Sequence, residues 1–549
     1  MMTRFVDRSV FVWLGLALLC LFLSACNPAP KYVRPTAPVP VAYKETGPQE
    51  FKEGEGWKVA QPADDKIRPQ WWELYNDPQL SRLEEQVAIG DQTLAASEAN
   101  YRAAKSLVVS ARSQLFPLLT AAPSFSSSQA SSTRGGQVVN PSTGKPTTTG
   151  SSVFNYWSLP IDASYTVDFW HRIRNTIAAN AFSAQASAAD IATSRLSLQA
   201  SLAQYYFEVR AVDMQRAILQ DALANYGATL KLTTTLFQTG IDSEQDVTQA
   251  RTQLDTAAAQ LTDLGRSRAQ YEHAIATLIG QTPATFSLPV APFVPNPPTV
   301  PVALPSTLLE RRPDIAAQER LIAAANAQIG VARAAYYPNV TLTASGGFES
   351  TSFTQWFTWP SRFWSAGSAA SQTLFDAGAR RAAVEQSQAS YDAAVANYRQ
   401  IVLTSFQAVE DNLASLRILT EEVGQQQTAI KDSARYLELA LTRYKTGVDS
   451  YLNVITAQNT VLSNRESQVQ TQLRQMTASV NLILALGGGW DPAALPAMKN
   501  LIARPPKWSP ATAPVPGGGN APVAPANPLP VQPAPLQTPN AAPSPGQKQ

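Results

Sequence analysis

The sequence predicts a mostly α chain with a small β part, built from two copies of one unit. Three observations carry this. The string Thr239-Gly240-Ile241-Asp242-Ser243 returns as Thr446-Gly447-Val448-Asp449-Ser450, 207 positions later. Each copy ends a proline-free run, about residues 172–238 and about 379–445, rich in helix-forming side chains. Ahead of each run lie segments alternating apolar and polar residues with period two, as half-buried strands require.

The N-terminus comes first. Arg4 and Arg8 precede an apolar run, Val10 to Phe22, and then Leu23-Ser24-Ala25-Cys26. Basic residues, a short apolar stretch and small residues make 1–25 a secretory signal. The run is too short for a comfortable membrane span. The tetrapeptide resembles a bacterial lipobox, which makes Cys26 the lipid attachment residue and the first of the mature chain. Cys20 lies in the removed segment, so the mature protein has no second cysteine for a disulfide or a cysteine metal site. By resemblance to bacterial lipoproteins, Asn27 rather than aspartate after that cysteine directs the chain to the outer membrane.

Charge is nearly balanced, 43 Lys+Arg against 41 Asp+Glu, so no basic footprint argues for nucleic acid. His171 and His273 stand far apart, outside any metal-ligand spacing. No phosphate loop, catalytic triad or other catalytic motif nominates an enzyme, a cofactor or a metal.

Residues 26–65 are Pro-rich and polar, an extended tether behind the lipid. The first repeat occupies 66–288, a Pro-rich linker 289–305, and the second repeat 306–490. The region 491–549 ends in a Pro/Ala/Gly/Asn tail, from about Arg504, whose composition predicts disorder. Within each repeat a helix (79–115; 306–337) leads to the strands. Trp157, Leu159, Ile161, Ala163, Tyr165 and Val167 alternate with polar residues, as does the stretch from Val340 to Ser345. Residues 130–152 read as a surface loop. Trp356, Phe357, Trp359, Phe363 and Trp364 form an aromatic cluster like the interfacial girdle of a membrane barrel.

Tyr391, Val395, Tyr398, Val402, Phe406, Val409, Leu413 and Leu416 step by threes and fours, close to a coiled-coil seam. A run of roughly 65 residues makes a helix about 100 Å long, so the body must be elongated. The repeated string then reverses the chain. Gly240 and Gly447 supply the backbone a tight turn needs, Asp242 and Asp449 are turn residues, and Ser243 and Ser450 cap the returning helices, about 243–281 and 450–486. Two hairpins give four strands per chain, too few to close a barrel in lipid. Three chains would give twelve.

These residues carry a family resemblance over nearly the whole mature chain. Leu304-Pro305, Leu308 to Ile315 with Arg312-Pro313-Asp314, Phe406 to Asn412, Tyr444 to Leu452 and Tyr75 to Leu80 resemble motifs of TolC/OprM-type outer-membrane efflux proteins, in the NodT-like lipoprotein branch. Asp168-Phe169-Trp170-His171-Arg172 departs from the pattern, which has glycine where His171 stands. The resemblance implies a TolC-like homotrimer, with a twelve-stranded shared β-barrel in the outer membrane above a periplasmic helical barrel. It implies docking through a periplasmic adaptor to an inner-membrane pump, most often RND type, and a passive duct without chemistry of its own. It also implies an acidic ring at the periplasmic entrance. Asp246 falls on such a position, whereas Asn453 and Thr456 stand where relatives often carry aspartate. Asp246 has a local reading as well, at the third helical position after Ser243, where it returns a capping bond. For Arg312-Pro313-Asp314 the structural reading is a pre-proline break and an acidic helix start. A non-conducting coiled-coil envelope lipoprotein, spacer or adhesin, is the competing class. It has no need of paired strands.

Overall fold

The computed structural model describes residues 27–37, 39, 40, 43–45, 70–129, 137–139, 146–148, 153–298, 300 and 311–502. The signal segment, Cys26, most of the tether, Leu304 to Glu310 and the Pro-rich tail lie outside the described residues.

Each repeat follows one plan. In the first, a 3-10 turn (Trp71–Tyr75) leads into α1 (Pro78–Gly90) and α2 (Gln92–Ser113). Strands β1 (Leu118–Ala121), β2 (Ser124–Gln129) and β5 (Val153–Val167) follow, then α3 (Arg172–Gln238) and α4 (Glu244–Leu278). The second repeat runs through α5 (Pro313–Ala334), β6 (Asn339–Ser350), β7 (Arg362–Ser371), α6 (Ala379–Lys445) and α7 (Tyr451–Ala485). The long helices α3 and α6 are both 67 residues, and the returns α4 and α7 both 35. At 1.5 Å per residue the long pair spans about 100 Å. A short α8 (Met498–Ile502) ends the described chain.

Three expectations are corrected. The helix expected over 79–115 is broken at Asp91, whose side chain accepts the Leu94 N–H at 2.9 Å and starts a new helix. The reason is a backbone crossing: a Cβ on Gly90 would lie 2.1 Å from the Ile279 carbonyl oxygen, so α1 stops where it meets the end of α4. The loop expected over 130–152 contains a two-stranded ribbon, β3 (Gln137–Val139) with β4 (Pro146–Thr148). The strands beside Trp157 and Val340 extend further than the alternation alone marked, to Val153 and Ser350.

Strands β1 and β2 are two pieces of one edge strand along β5, and the sheet runs β1/β2–β5–β6–β7, all antiparallel. Pro160 sits in the central strand β5, where a ladder bond is lost. It faces the gap between β1 and β2 on one side and Gly347 on the other, where a side chain would collide with Leu159.

The main core joins Trp71, Tyr75, Leu80 and Val87 to Tyr206 and Phe207 of α3, and to α6 and α7. The predicted seam is present. Tyr398, Val402, Phe406 and Val409 are buried there, with Tyr391, Val395, Leu413 and Leu416 packed against them.

The described part of the tether is strapped down along the helices. Tyr32 donates to Glu319 at 2.9 Å, Asn326 donates to the Pro30 carbonyl at 2.9 Å, and the Lys44 N–H reaches Glu410 at 2.7 Å. A proline-rich strand without ladder partners has its backbone groups satisfied by helix side chains instead. At the sheet end of the helices, Arg112 donates to the Ile502 carbonyl, and Leu501 packs against Val108 and Ile173.

His171 heads α3 with φ 56°, in the left-handed region that costs a side-chain-bearing residue about 1–2 kcal/mol. Glycine there removes that cost but gives up about 0.5–1 kcal/mol to the freedom of the unfolded chain. His171→Gly is therefore expected to stabilise the protein by about 0.5–1 kcal/mol in thermal unfolding. A lowered midpoint would show that the imidazole's contact with Arg174, at 3.3 Å, outweighs the strain.

Candidate functional site: the sheet faces and the hairpin tips

Strand register sorts the sheet into two faces, because directly paired residues of antiparallel strands share a side. Trp157, Leu159, Ile161, Ala163, Tyr165 and Val167 pair with Ser350, Phe348, Gly346, Ala344, Leu342 and Val340. Phe125, Leu119 and Ala121 extend that apolar face on one side, and Trp364, Ala366 and Ala370 on the other. On the opposite face Ser158, Asp162, Ser164 and Thr166 pair with Glu349, Ser345, Thr343 and Thr341. One face suits lipid and the other water, the division found in the wall of a transmembrane barrel. Apolar-face residues stand open in the single chain, Ile161 at 57% and Trp364 at 83% exposure. At the end of the sheet away from the helices, Trp157 meets Phe125, Phe353 and Trp356, and Trp356 meets Phe357. No helix among the described residues is long and apolar enough to cross a membrane.

At the far end of the long helices the repeated string makes the same backbone turn twice. Gly240 (φ 75°) and Gly447 (φ 69°) take the left-handed conformation. Ile241 N–H bonds the Leu236 carbonyl and Gly240 N–H that of Phe237, both at 2.9 Å; Val448 and Gly447 repeat the pattern on Arg443 and Tyr444. This paired closure satisfies the last carbonyls of a helix.

The side chains differ. In the first copy Ser243 caps α4, accepting the Asp246 N–H at 3.2 Å while its hydroxyl donates to the Asp246 carboxylate at 2.7 Å. The Asp246 carboxylate thus takes the Ser243 hydroxyl rather than the Ser243 backbone N–H on which the expected return bond would fall. In the second copy Ser450 holds the cap position, but its hydroxyl makes no capping bond, which corrects the expected role. Asp449 is turned in instead, accepting from the Ser450 N–H, from the Asn453 amide and from Arg443 at 3.2 Å. The Asn453 bond is the main cause holding the Asp449 carboxyl below its usual range. Thr456 is exposed, and its hydroxyl bonds only the Leu452 carbonyl of its own helix.

Asp242 is more than a local turn residue. Its carboxylate takes a hydrogen bond from the Tyr444 hydroxyl, at the end of the other long helix. Tyr444 is buried, leans against Tyr451 with ring centroids 5.8 Å apart, and packs among Ala250, Ala440, Val454 and Ile455. Burial, then the bond to Asp242, pushes its hydroxyl pKa up, so it remains a donor. The matching residue in the first repeat is Phe237, which has no hydroxyl. One tip is thus tied across to the other hairpin, and the other tip to itself. The signal was present in the sequence, as a Tyr/Phe difference two residues before the repeated string.

Deeper in the unit, charged groups hold the extended segments. Arg268 pairs with Asp213 at 2.6 Å and Glu272 at 2.8 Å, and donates to the Leu288 carbonyl. Arg210 lies 3.4 Å from Asp213 and donates to the Pro289 carbonyl at 2.7 Å, which pins the start of the linker. Arg417, its counterpart, pairs with Glu45 of the strap at 2.7 Å. Arg312 forks onto Asp314 and donates to Ala485 at the end of α7, while Pro313 opens α5. The Arg-Pro-Asp motif joins helix start to helix end.

With this geometry the chain is similar to known channel proteins. The solvent efflux pump outer membrane protein SrpC of Pseudomonas putida is 31% identical over 480 residues, which is 86% of this chain and 97% of that one. The pyoverdine export outer membrane protein OpmQ of Pseudomonas aeruginosa is 30% identical over 479 residues, 87% and 97% of the two. Among solved structures, the outer-membrane channel OprN shares 28% identity with a TM-score of 0.73, covering 85% of this chain and all of its own. VceC from Vibrio cholerae shares 26% identity with a TM-score of 0.69. The family described as outer membrane efflux protein matches residues 83–281 and 304–488. A match that runs through both repeats, and breaks only around the Pro-rich linker between them, makes this chain a member of that family.

Proposed function

We propose that three copies of this chain form a passive export duct in the outer membrane, handed its cargo by a periplasmic adaptor protein and an inner-membrane pump of RND type. The observation that carries this reading is a four-stranded sheet with one apolar face, one polar face and two unpaired edges. Open edges are not tolerated in lipid, and three copies give a closed, even-numbered barrel of about twelve strands. The helical hairpins continue the wall into the periplasm. The duct performs no catalysis, and energy and most substrate selection belong to the pump.

The strap supports the lipid anchor. Asn27 accepts a hydrogen bond from Asn175, in the first turn of α3 just below the sheet. An acyl chain on Cys26, one residue earlier, would enter the inner leaflet beside the barrel. At the opposite end, the entrance is formed by the hairpin tips, with Asp246, Asn453 and Thr456 along its lining.

Conductance of the purified protein in planar bilayers tests both levels. A small, cation-blocked conductance is expected, rising severalfold in Asp246→Ala without loss of the assembled trimer. Unchanged conductance and cation block in that variant would remove Asp246 from the entrance. Absence of any channel, even with the entrance loosened, would favour the coiled-coil spacer.

A further inference from the structure

Asp246, Asn453 and Thr456 begin stripes that continue up the helices. On α4, Asp246, Gln253 and Gln260 follow at heptad spacing. On α7, Asn453, Thr460, Ser467 and Arg474 do so, with Thr456, Ser463 and Gln470 beside them. Residues a heptad apart share one face of a supercoiled helix. Both stripes are polar throughout, and both reach a recess of about 580 Å³ between α3, α4, α6 and α7. Its size lies within the range of about 300–1,000 Å³ typical of small-molecule sites.

The lining is mixed. Gln260, Ser463, Ser467 and Gln470 supply neutral hydrogen-bonding groups, and Leu219 and Leu264 an apolar floor. Four charged residues border it: Asp263, Glu422, Glu466 and Arg474. Asp263 is held by Arg266 at 2.8 Å, and Glu422 by Arg474 at 2.8 Å. Glu466 makes no hydrogen bond or ion pair among the described residues. Half-burial pushes its carboxyl up from the ordinary range, a cost that a neighbouring cation would relieve. The helix repeat does not require the charge, because Ala259 stands at the matching place in α4.

We propose that this recess is a contact site for amphiphilic organic monocations in transit, with Glu466 as their counter-charge. The proposal rests on the duct reading, in which this face lines the tunnel. The ammonium group pairs with Glu466, an apolar body lies on Leu219 and Leu264, and the amides and hydroxyls take polar substituents. Anions of similar size meet an unpaired carboxylate and are disfavoured.

The test is an ethidium titration of the purified full-length protein, followed by fluorescence anisotropy, with bilayer conductance measured on the same preparations. Saturable binding is expected, weakened about tenfold by Glu466→Gln, or about 1.4 kcal/mol. Ser467→Leu, which fills the recess and leaves the charge, should weaken it similarly; it decides alone if the first variant fails to assemble. Fluorescein, an anion, should not displace the dye. A conducting protein that binds ethidium equally well after either substitution, or binds none saturably, overturns the recess. A protein with no channel at all overturns the duct reading itself, which the conductance arm reports separately.

Discussion

Asp213→Ala is expected to cost about 3–5 kcal/mol of stability, because it leaves buried Arg210 with no carboxylate and Arg268 with Glu272 alone. The Asp213 side chain is 2% exposed, with Arg268 at 2.6 Å and Arg210 at 3.4 Å. Removing one member of such a group leaves charge in a place where water cannot reach it. The second repeat supplies the control. At the positions matching Asp213 and Arg268 stand Thr420 and Gln475, and the Gln475 amide donates to the Thr420 hydroxyl at 2.8 Å. The same helical crossing is therefore closed by an ion pair in one repeat and by a neutral hydrogen bond in the other. Replacing both residues, Asp213→Thr with Arg268→Gln, should recover at least about 2 kcal/mol of the loss from Asp213→Ala. Full recovery is not expected, since Arg268 also holds the Leu288 carbonyl and Glu272. Denaturant unfolding of the purified proteins reads both numbers. A single variant within about 1 kcal/mol of the parent would show that the buried arginines find other partners.

Tyr444→Phe is expected to shift the tips toward the open arrangement by a factor of about ten or more per chain. The substitution removes one hydroxyl and keeps the ring against Tyr451, so packing is spared. What is lost is a hydrogen bond to a charged acceptor, worth about 1.5–3 kcal/mol, and that sum converts to about a 10- to 150-fold change in a two-state equilibrium. The effect needs a bond that exists only in the closed arrangement, and the Tyr444–Asp242 contact qualifies because it spans two hairpins. Arg443→Ala at the other tip should do less. Its partner Asp449 lies on the same hairpin and keeps the Asn453 amide. Single-channel open probability compares the two directly. Equal effects, or none from Tyr444→Phe, would mean that the hairpins do not separate on opening.

Much of the fold was legible because the periods are long and the punctuation is strong. The runs 172–238 and 379–445 lack proline and end on glycine, so their ends coincide with α3 and α6. The alternation around Trp157 named a strand, and its register with β6 then placed the alternating residues Trp157 to Val167 on one face with Val340, Leu342, Ala344 and Phe348. Breaks caused by contacts distant in sequence were not legible. Gly90-Asp91 offers a local stop and cap, but what halts α1 there is Gly90 meeting the end of α4. The Pro-rich tether reads as a free leash, and only the helices opposite it, through Glu319, Asn326 and Glu410, make it a strap.

The candidate site divides the same way. Gly240 and Gly447 and the bends they make follow from the string itself, since a left-handed residue at a helix end is a local demand that glycine meets. Which carboxylate is tied to which partner does not follow. Two copies of one string hold their aspartates differently because Tyr444 and Phe237, Arg443 and Leu236, Asn453 and Asp246 differ around them. Sequence by itself determined the repeat, the helix lengths and the turns, all set by interactions within a few residues along the chain. Tertiary structure decided the locks between hairpins, the buried Asp213–Arg268 pair and the recess at Glu466, because each needs side chains that only folding brings together.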